Sequence, residues 1–288
     1  MDIKALIMIV AQASLLMIVA SVGLGAQWRD IIATLRKLGL VARGIVAVNL
    51  VVPAVAVLLC ALLPFEQPVK IGIAIMAVSP LAPLLSGKMV KAGVGASFAV
   101  GLNVALVLLA IVIVPITIAL LSRIFPADAS ISAGDVAALT ARTVFAPLAA
   151  GLLLGTVAPK MARSLAKLLT IVGYAGIALV AIAVLYARGG EILALVGDGA
   201  VIAIIITVVA GLLAGHLLGG PDPSGRTALA LAASTRHPGL AAIIAQQNFT
   251  DPKVLPAIML FLIISVAVST AYLAWFARRR RVGATSAA

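Results

Sequence analysis

Long apolar runs fill this chain, and two of them are broken by proline beside a cation. The first reads Ser79-Pro80-Leu81-Ala82-Pro83-Leu84-Leu85-Ser86-Gly87-Lys88, the second Ser234-Thr235-Arg236-His237-Pro238-Gly239-Leu240. A proline inside a helix removes one hydrogen bond and clashes with the preceding turn. In hydrocarbon each unpaired backbone group costs several kcal/mol, so a broken helix persists only against protein or a watery cavity. A fixed charge at that depth adds about 3 kcal/mol on insertion scales and more in simulations. Two such violations at matching places in two halves of a chain predict a polar site near the middle of a membrane transporter.

Composition fixes the class. The 288 residues are 64% hydrophobic and 10% charged, against about half and a quarter in soluble domains. Apolar runs of about 20 residues predict a polytopic, all-α membrane protein. A transmembrane barrel is excluded because the runs do not alternate. The net charge is +12, but the cations lie mostly between and after the apolar runs. They set topology, and no nucleic-acid partner is expected. Cys60 is the only cysteine, so no intrachain disulfide or cysteine metal cluster is possible.

About nine spans are expected: Ile3–Leu24, Leu40–Leu63, Val69–Val90 (broken at Pro80 and Pro83), Ser97–Leu121, Val136–Val157, Leu165–Tyr186, Ala200–Leu218, Arg226–Gln246 (broken at Pro238-Gly239) and Val254–Phe276. Small residues at Ala20 and Ser21 leave a cleaved signal peptide as the alternative reading of the first run. Its spanning length and the cationic loop after it favour a retained helix. Trp28–Lys37 mixes polar and apolar residues at helical spacing and predicts a short amphipathic helix along the inner surface.

Loop charges orient the bundle. Arg29, Arg36 and Lys37 follow the first span, Lys91 the third, Lys160, Arg163 and Lys167 the fifth, and Arg278 to Arg281 the last. The alternate loops are acidic or mixed: Glu66; Arg123 with Asp128; Arg188 with Glu191 and Asp198; Asp251 with Lys253. The cationic side is expected to be cytoplasmic, with the N-terminus outside and the C-terminus inside. A bacterial inner membrane is the expected location. The tail arginines read as a stop signal, or alternatively as a hold on anionic lipid at about 1 kcal/mol each.

The whole chain, 1–288, is expected to be one transmembrane domain. The broken span is third in each block of four, and the blocks run in opposite directions. That predicts two inverted repeats, about 1–125 and about 130–277, with crossing discontinuous helices and a basic tail at 278–288.

The candidate site gathers at the breaks. Pro80 and Pro83, followed by Gly87, predict a half-helix, an unwound crossing and a second half-helix whose freed amides favour an anion. Pro238 and Gly239 do the same in the eighth span. Lys88 reaches either back into the crossing or out to the interface beside Lys91. Arg236 lies too deep to snorkel, and no acid lies within a span interior. It is therefore expected to meet carbonyl ends of half-helices or a bound anion. His237 is either a proton-coupling group or a satisfied interior histidine. Thr235, Ser86 and Asn103 complete the candidate substrate-binding set. His216, before Gly219-Gly220-Pro221, reads as interfacial, and two distant histidines make a poor metal site. Gly151 to Gly155 is a small-xxx-small pattern for close helix packing.

These residues resemble the bile acid:sodium symporter family. Gly23-Leu24-Gly25-Ala26-Gln27-Trp28-Arg29-Asp30 is similar to the family's motif before its amphipathic linker, and Asn49 to Pro53 to its next helix. The breaks at Pro80 and at Pro238-Gly239-Leu240-Ala241 fall where the family has its two crossing helices. The chain looks like the nine-span form, which lacks the first span of ten-span members. The departures are specific. The family's first crossing reads Pro-Gly-Gly-Thr-Ala-Ser-Asn, of which only Pro80 clearly matches, the later positions falling near Leu85 and Ser86. Aligned on Gly239-Leu240-Ala241, the family's glutamate falls at Ala232, its glutamine at Arg236 and its asparagine at His237. Sodium takes oxygen donors, and arginine offers none.

The resemblance implies a secondary transporter of small or amphipathic organic anions, and the departures from it lead to the expectation that Arg236, with Lys88 if that side chain reaches back, stands in for bound sodium. The alternatives are sodium symport through Ser86, Asn103 and backbone carbonyls, or a membrane sensor that does not transport. No carboxylate pair, nucleophile–base constellation or metal motif points to an enzyme. No cofactor is called for, sodium is open as the coupling ion, and the oligomeric state is undetermined.

Overall fold

The computed structural model describes residues 3–82, 85–124, 133–196, 199–249 and 251–285. Pro83, Asp128 and Asp198, named above, lie outside the described residues. Among the described residues there are helices and no strand.

The first helix, α1 (Ile3–Gly25), contains no proline, and its glycines, Gly23 and Gly25, fall in its last turn. The expected surface helix forms as α2 (Trp28–Leu35). Ile31 and Thr34 are buried on the side that packs against α7 (Ala96–Ile124), and Trp28 and Ile32 stay exposed. The second span is α3 (Leu38–Ile45), a π-helical stretch at Val46–Val51, and α4 (Val52–Leu62). The π register ends two residues before Pro53. A second π stretch, Ala141–Phe145, joins α8 (Ala133–Thr140) to α9 (Ala146–Val157) and ends two residues before Pro147. In both, widening the helix gives room to the carbonyl that a proline ring would strike in the preceding turn.

The third expected span is divided into α5 (Gln67–Val78) and α6 (Leu85–Lys91), and the eighth into α12 (Pro223–Ser234) and α13 (Pro238–Asn248). Gly87 lies inside α6 and so does not help end it. Between the two broken spans run α10 (Pro159–Ala194) and α11 (Ala200–Leu218). The chain closes with α14 (Val254–Thr285). Among the described residues, seven helical stretches are long and apolar enough to cross a membrane. The two other expected spans correspond to α5–α6 and α7.

Two helices outrun their expected bounds. α10 covers 36 residues, well past Leu165–Tyr186, and Arg188 pairs with Glu191 at 2.7 Å in its last turns. α14 continues through Arg278–Arg281 because arginine is a good helix former and no proline follows.

The closest packing falls in two sets of helices, with α7 touching both, through α8 and through α6. α1 lies along α9 and α10. α11 lies along α12 and α14, and α14 along α5. The divided span α12–α13 is the most enclosed of the seven, and α10 the least. In the first group the backbones approach through glycine: Gly23 on α1 faces Gly151 on α9, and a Cβ on Gly151 would stand 2.9 Å from the Leu24 amide nitrogen.

That contact gives a test. Gly151→Leu forces α1 and α9 apart and is expected to destabilise by about 1–3 kcal/mol. Gly189→Leu, on α10 where a Cβ meets nothing within 4 Å and leucine is the better helix former, does not lower the unfolding temperature in detergent.

Candidate transport site at the two breaks

Helix α5 stops because Pro80 cannot donate back to its preceding turn, and the residue before a proline is pushed out of helical conformation. Ser79 is accordingly extended, with φ −59° and ψ 145°. Helix α12 ends at Ser234, three residues ahead of the residue before its proline: Thr235 has φ −109° and ψ 118°, and His237, just before Pro238, has φ −93° and ψ 90°. Pro238 opens α13 with its fixed φ and absent N–H, both suited to a first helical turn.

The two unwound segments, far apart in sequence, touch. The His237 backbone N–H donates to the Pro80 carbonyl at 2.9 Å. One position earlier, the Arg236 guanidinium donates through Nη1 to the Ser79 carbonyl at 3.2 Å and through Nη2 to the Val48 carbonyl at 2.6 Å. Arg236 is 2% exposed. Its Nη atoms thus join the C-terminal end of α5, the π stretch of the second span and the break in the eighth.

The Val48 carbonyl needs such a donor. In a π register a carbonyl accepts from the N–H five residues on. Five residues after Val48 stands Pro53, which has none. Ser79 caps the C-terminus of α5, where helix carbonyls present partial negative charge. The guanidinium therefore meets two acceptors that proline has left without backbone donors, one of them reinforced by a helix dipole. Burial of the charge is offset by hydrogen bonds to carbonyls rather than by a carboxylate.

His237 shares the work. Its Nδ1 accepts from the Leu240 N–H at 3.2 Å, capping α13 with its own side chain. That bond places the ring proton of the neutral form on Nε2. Nε2 is buried without a hydrogen-bond partner among the described residues, as are Thr235 Oγ1 and Arg236 Nε. The end of α12 is held from behind: Ser265 Oγ of α14 donates to the Ser234 carbonyl at 2.6 Å, and Ser269 Oγ reaches Ser234 Oγ at 3.3 Å.

The other candidates sit nearby to different degrees. Pro80, Pro238 and Gly239 are at the breaks, and Pro83 is outside the described residues. Asn103 is buried on α7 and lines a cavity of about 10 Å³ with Val19, Leu81, Val107 and Leu148; about one water fits such a space. It thus borders the first break but is not bonded to Arg236. Ser86 and Lys88 are half-buried on α6, and neither side chain makes a hydrogen bond or ion pair with a described residue. His216 lies away from the crossing. Its Nδ1 is 2.9 Å from the Tyr272 hydroxyl, within a ring cluster that includes Trp275 and Phe276. Such a group suits a membrane interface.

Three members of the site were not foreseen. The Val48 carbonyl has no side-chain signature beyond the proline five residues on. Ser265 and Ser269 stand four apart in the last span, a spacing that puts them on one helix face.

Broken helices meeting through a buried cation define a polytopic membrane protein of the transporter class. Residues 13–195, more than half of the chain, match the family model described as Sodium Bile acid symporter family. The chain belongs to that family. The matched region includes the first break and ends before the second. No individually curated protein matches the chain.

Arg236→Met removes both bonds and leaves the Val48 and Ser79 carbonyls buried without donors. At about 1–3 kcal/mol for each unsatisfied group, the variant is expected to lose several kcal/mol of stability. Arg236→Lys keeps the charge and one donor direction and is expected to recover part of it. Unfolding temperatures of the purified proteins in detergent check the order.

Proposed function

We propose that this protein is a secondary transporter of small or amphipathic organic anions that works without sodium. The observation that carries the reading is the pair of bonds from Arg236 to the Ser79 and Val48 carbonyls. A half-helix C-terminus and an orphaned carbonyl are the kind of oxygen acceptors that hold a sodium ion in a broken-helix transporter. Here a covalently attached cation occupies them. The positive charge at the crossing is then permanent, and loading a coupling ion is not required to create it.

Lys88, half-buried and without an ion pair among the described residues, is the second cation of the proposed site, and Ser86, Thr235, His237 and Asn103 are its other proposed polar members. Access alternates as the α1–α9–α10 group rocks against the group holding the two breaks. The division of packing into those two groups supports this motion. The two divided spans also support the inverted repeats, about 1–125 and about 130–277, within one domain. The basic loops place α2 and the C-terminus in the cytoplasm and the N-terminus outside, in a bacterial inner membrane. The protein has no catalytic role in this reading.

Uptake of organic anions into proteoliposomes, with sodium or potassium as the only cation, tests the proposal. Equal uptake in both is expected, and Arg236→Gln is expected to lower it at least tenfold. A strict sodium requirement overturns the reading in favour of sodium symport through Ser86, Asn103 and carbonyls. Ligand binding without countertransport overturns it in favour of a membrane sensor.

A further inference from the structure

A second cationic site lies at the surface that carries α2. A cleft of about 770 Å³ opens between the α2–α3 link, the start of α7 and the α11–α12 turn. Arg36, Lys37 and Arg43 line it, and Arg226 stands at the same turn. No residue of α1, α9 or α10 lines it, so it is separate from the boundary between the two helix groups.

We infer that this cleft binds a phosphate-bearing anion, presented either by an acidic phospholipid headgroup or by a soluble phosphate compound. None of the four cations is ion-paired with a carboxylate among the described residues, where the pairs are Arg29–Asp30, Arg188–Glu191 and Lys253–Glu66. The one acid in the lining, Asp222, accepts from the Ser224 and Gly225 amides at 3.2 and 3.3 Å and so is engaged in capping α12. Its charge is partly answered by that helix end.

The arginines are held in place. Arg43 Nε donates to the Gly39 carbonyl at 2.8 Å, and Arg226 Nε to the Gly220 carbonyl at 2.7 Å. Both bear on one turn: Gly220 has φ +84°, and a Cβ there would stand 3.1 Å from Arg43 Nη1. With each Nε fixed on a carbonyl, the forked Nη edges are left to other acceptors. That arrangement suits bidentate capture of phosphate. Lys37 is steadied 5.0 Å over the Phe98 ring. Gathering like charges around one turn is unfavourable unless an anion joins them. Leu38, 75% exposed, sits in the lining, and Ile32 is exposed one turn away on α2. These give the cleft an apolar margin on which an acyl chain could lie.

The full chain in phosphatidylcholine nanodiscs is titrated with phosphatidylglycerol in one arm and with pyrophosphate in the other, and bound species are counted by native mass spectrometry. Tight binding in the first arm alone assigns a lipid headgroup; in the second alone, a soluble phosphate. The double substitution Arg43→Gln with Arg226→Gln is expected to weaken it at least tenfold. So is Arg36→Gln with Lys37→Gln, whose exposed side chains hold no backbone carbonyl and leave the fold intact. Lys160→Gln with Arg163→Gln removes equal charge near the α9–α10 junction of the same face and is expected to leave binding unchanged. Binding in neither arm overturns the inference. So does equal weakening by all three pairs, which would mean a diffuse basic surface and no site.

Discussion

One guanidinium meeting two stranded carbonyls is the interaction on which the centre of this molecule depends. Lipid forbids open backbone, so every proline in a spanning helix leaves an acceptor to be satisfied. Pro53 strands the Val48 carbonyl, and Pro80 ends α5 with the Ser79 carbonyl exposed to its neighbours. Arg236 answers both from a third segment. It is the right residue for this because its donors are fixed in a planar fork and it stays charged when buried. A lysine could point at only one carbonyl well. The bond from the His237 amide to the Pro80 carbonyl then locks backbone to backbone beside it.

The surrounding residues make that arrangement rigid on one side and leave it open to change on the other. Ser265 and Ser269 tie the end of α12 to α14, within the same helix group. His237 caps α13 with its Nδ1 and leaves Nε2, like Thr235 Oγ1, buried without a described partner. A Cβ added at Gly239 would meet the His237 ring and Leu15 of α1, which puts this region where the two helix groups adjoin. Polar atoms with unused hydrogen-bonding capacity at a boundary between packed groups are what a moving site would need, because their partners can differ between states.

Much of this was legible in the residues. Proline next to a cation in an apolar run marked both breaks, and the depth of Arg236 excluded snorkelling, which left carbonyls or an anion as its partners. The mixed pattern of Trp28–Lys37 marked α2. The three-dimensional pairing was not legible. Which carbonyl Arg236 meets depends on a π register that rests on Pro53 alone, and no periodicity reports a π turn. The extra length of α10 was hidden because Lys160 and Arg188 look like loop charges, though a helix carries them readily where it leaves the bilayer. Lys88 shows the limit from the other direction. Its sequence position allowed either a site or an interface, and a half-buried side chain with no ion pair among the described residues is compatible with both.

The geometry also bears on how charge is handled during transport. A sodium ion bound at helix ends can leave, so an empty carrier of that kind exposes carbonyl oxygens to whatever cation arrives. A guanidinium on a side chain cannot leave, and its attachment at the second break makes the positive charge part of the unwound segment itself. Any motion that separates the two breaks must strip Arg236 from Ser79 or from Val48, at a cost of roughly 1–3 kcal/mol for each carbonyl left bare. In the proposed cycle the crossing therefore moves as one body, with the conformational change taken up at the boundary with α1, α9 and α10, where neither bond of Arg236 has to be broken.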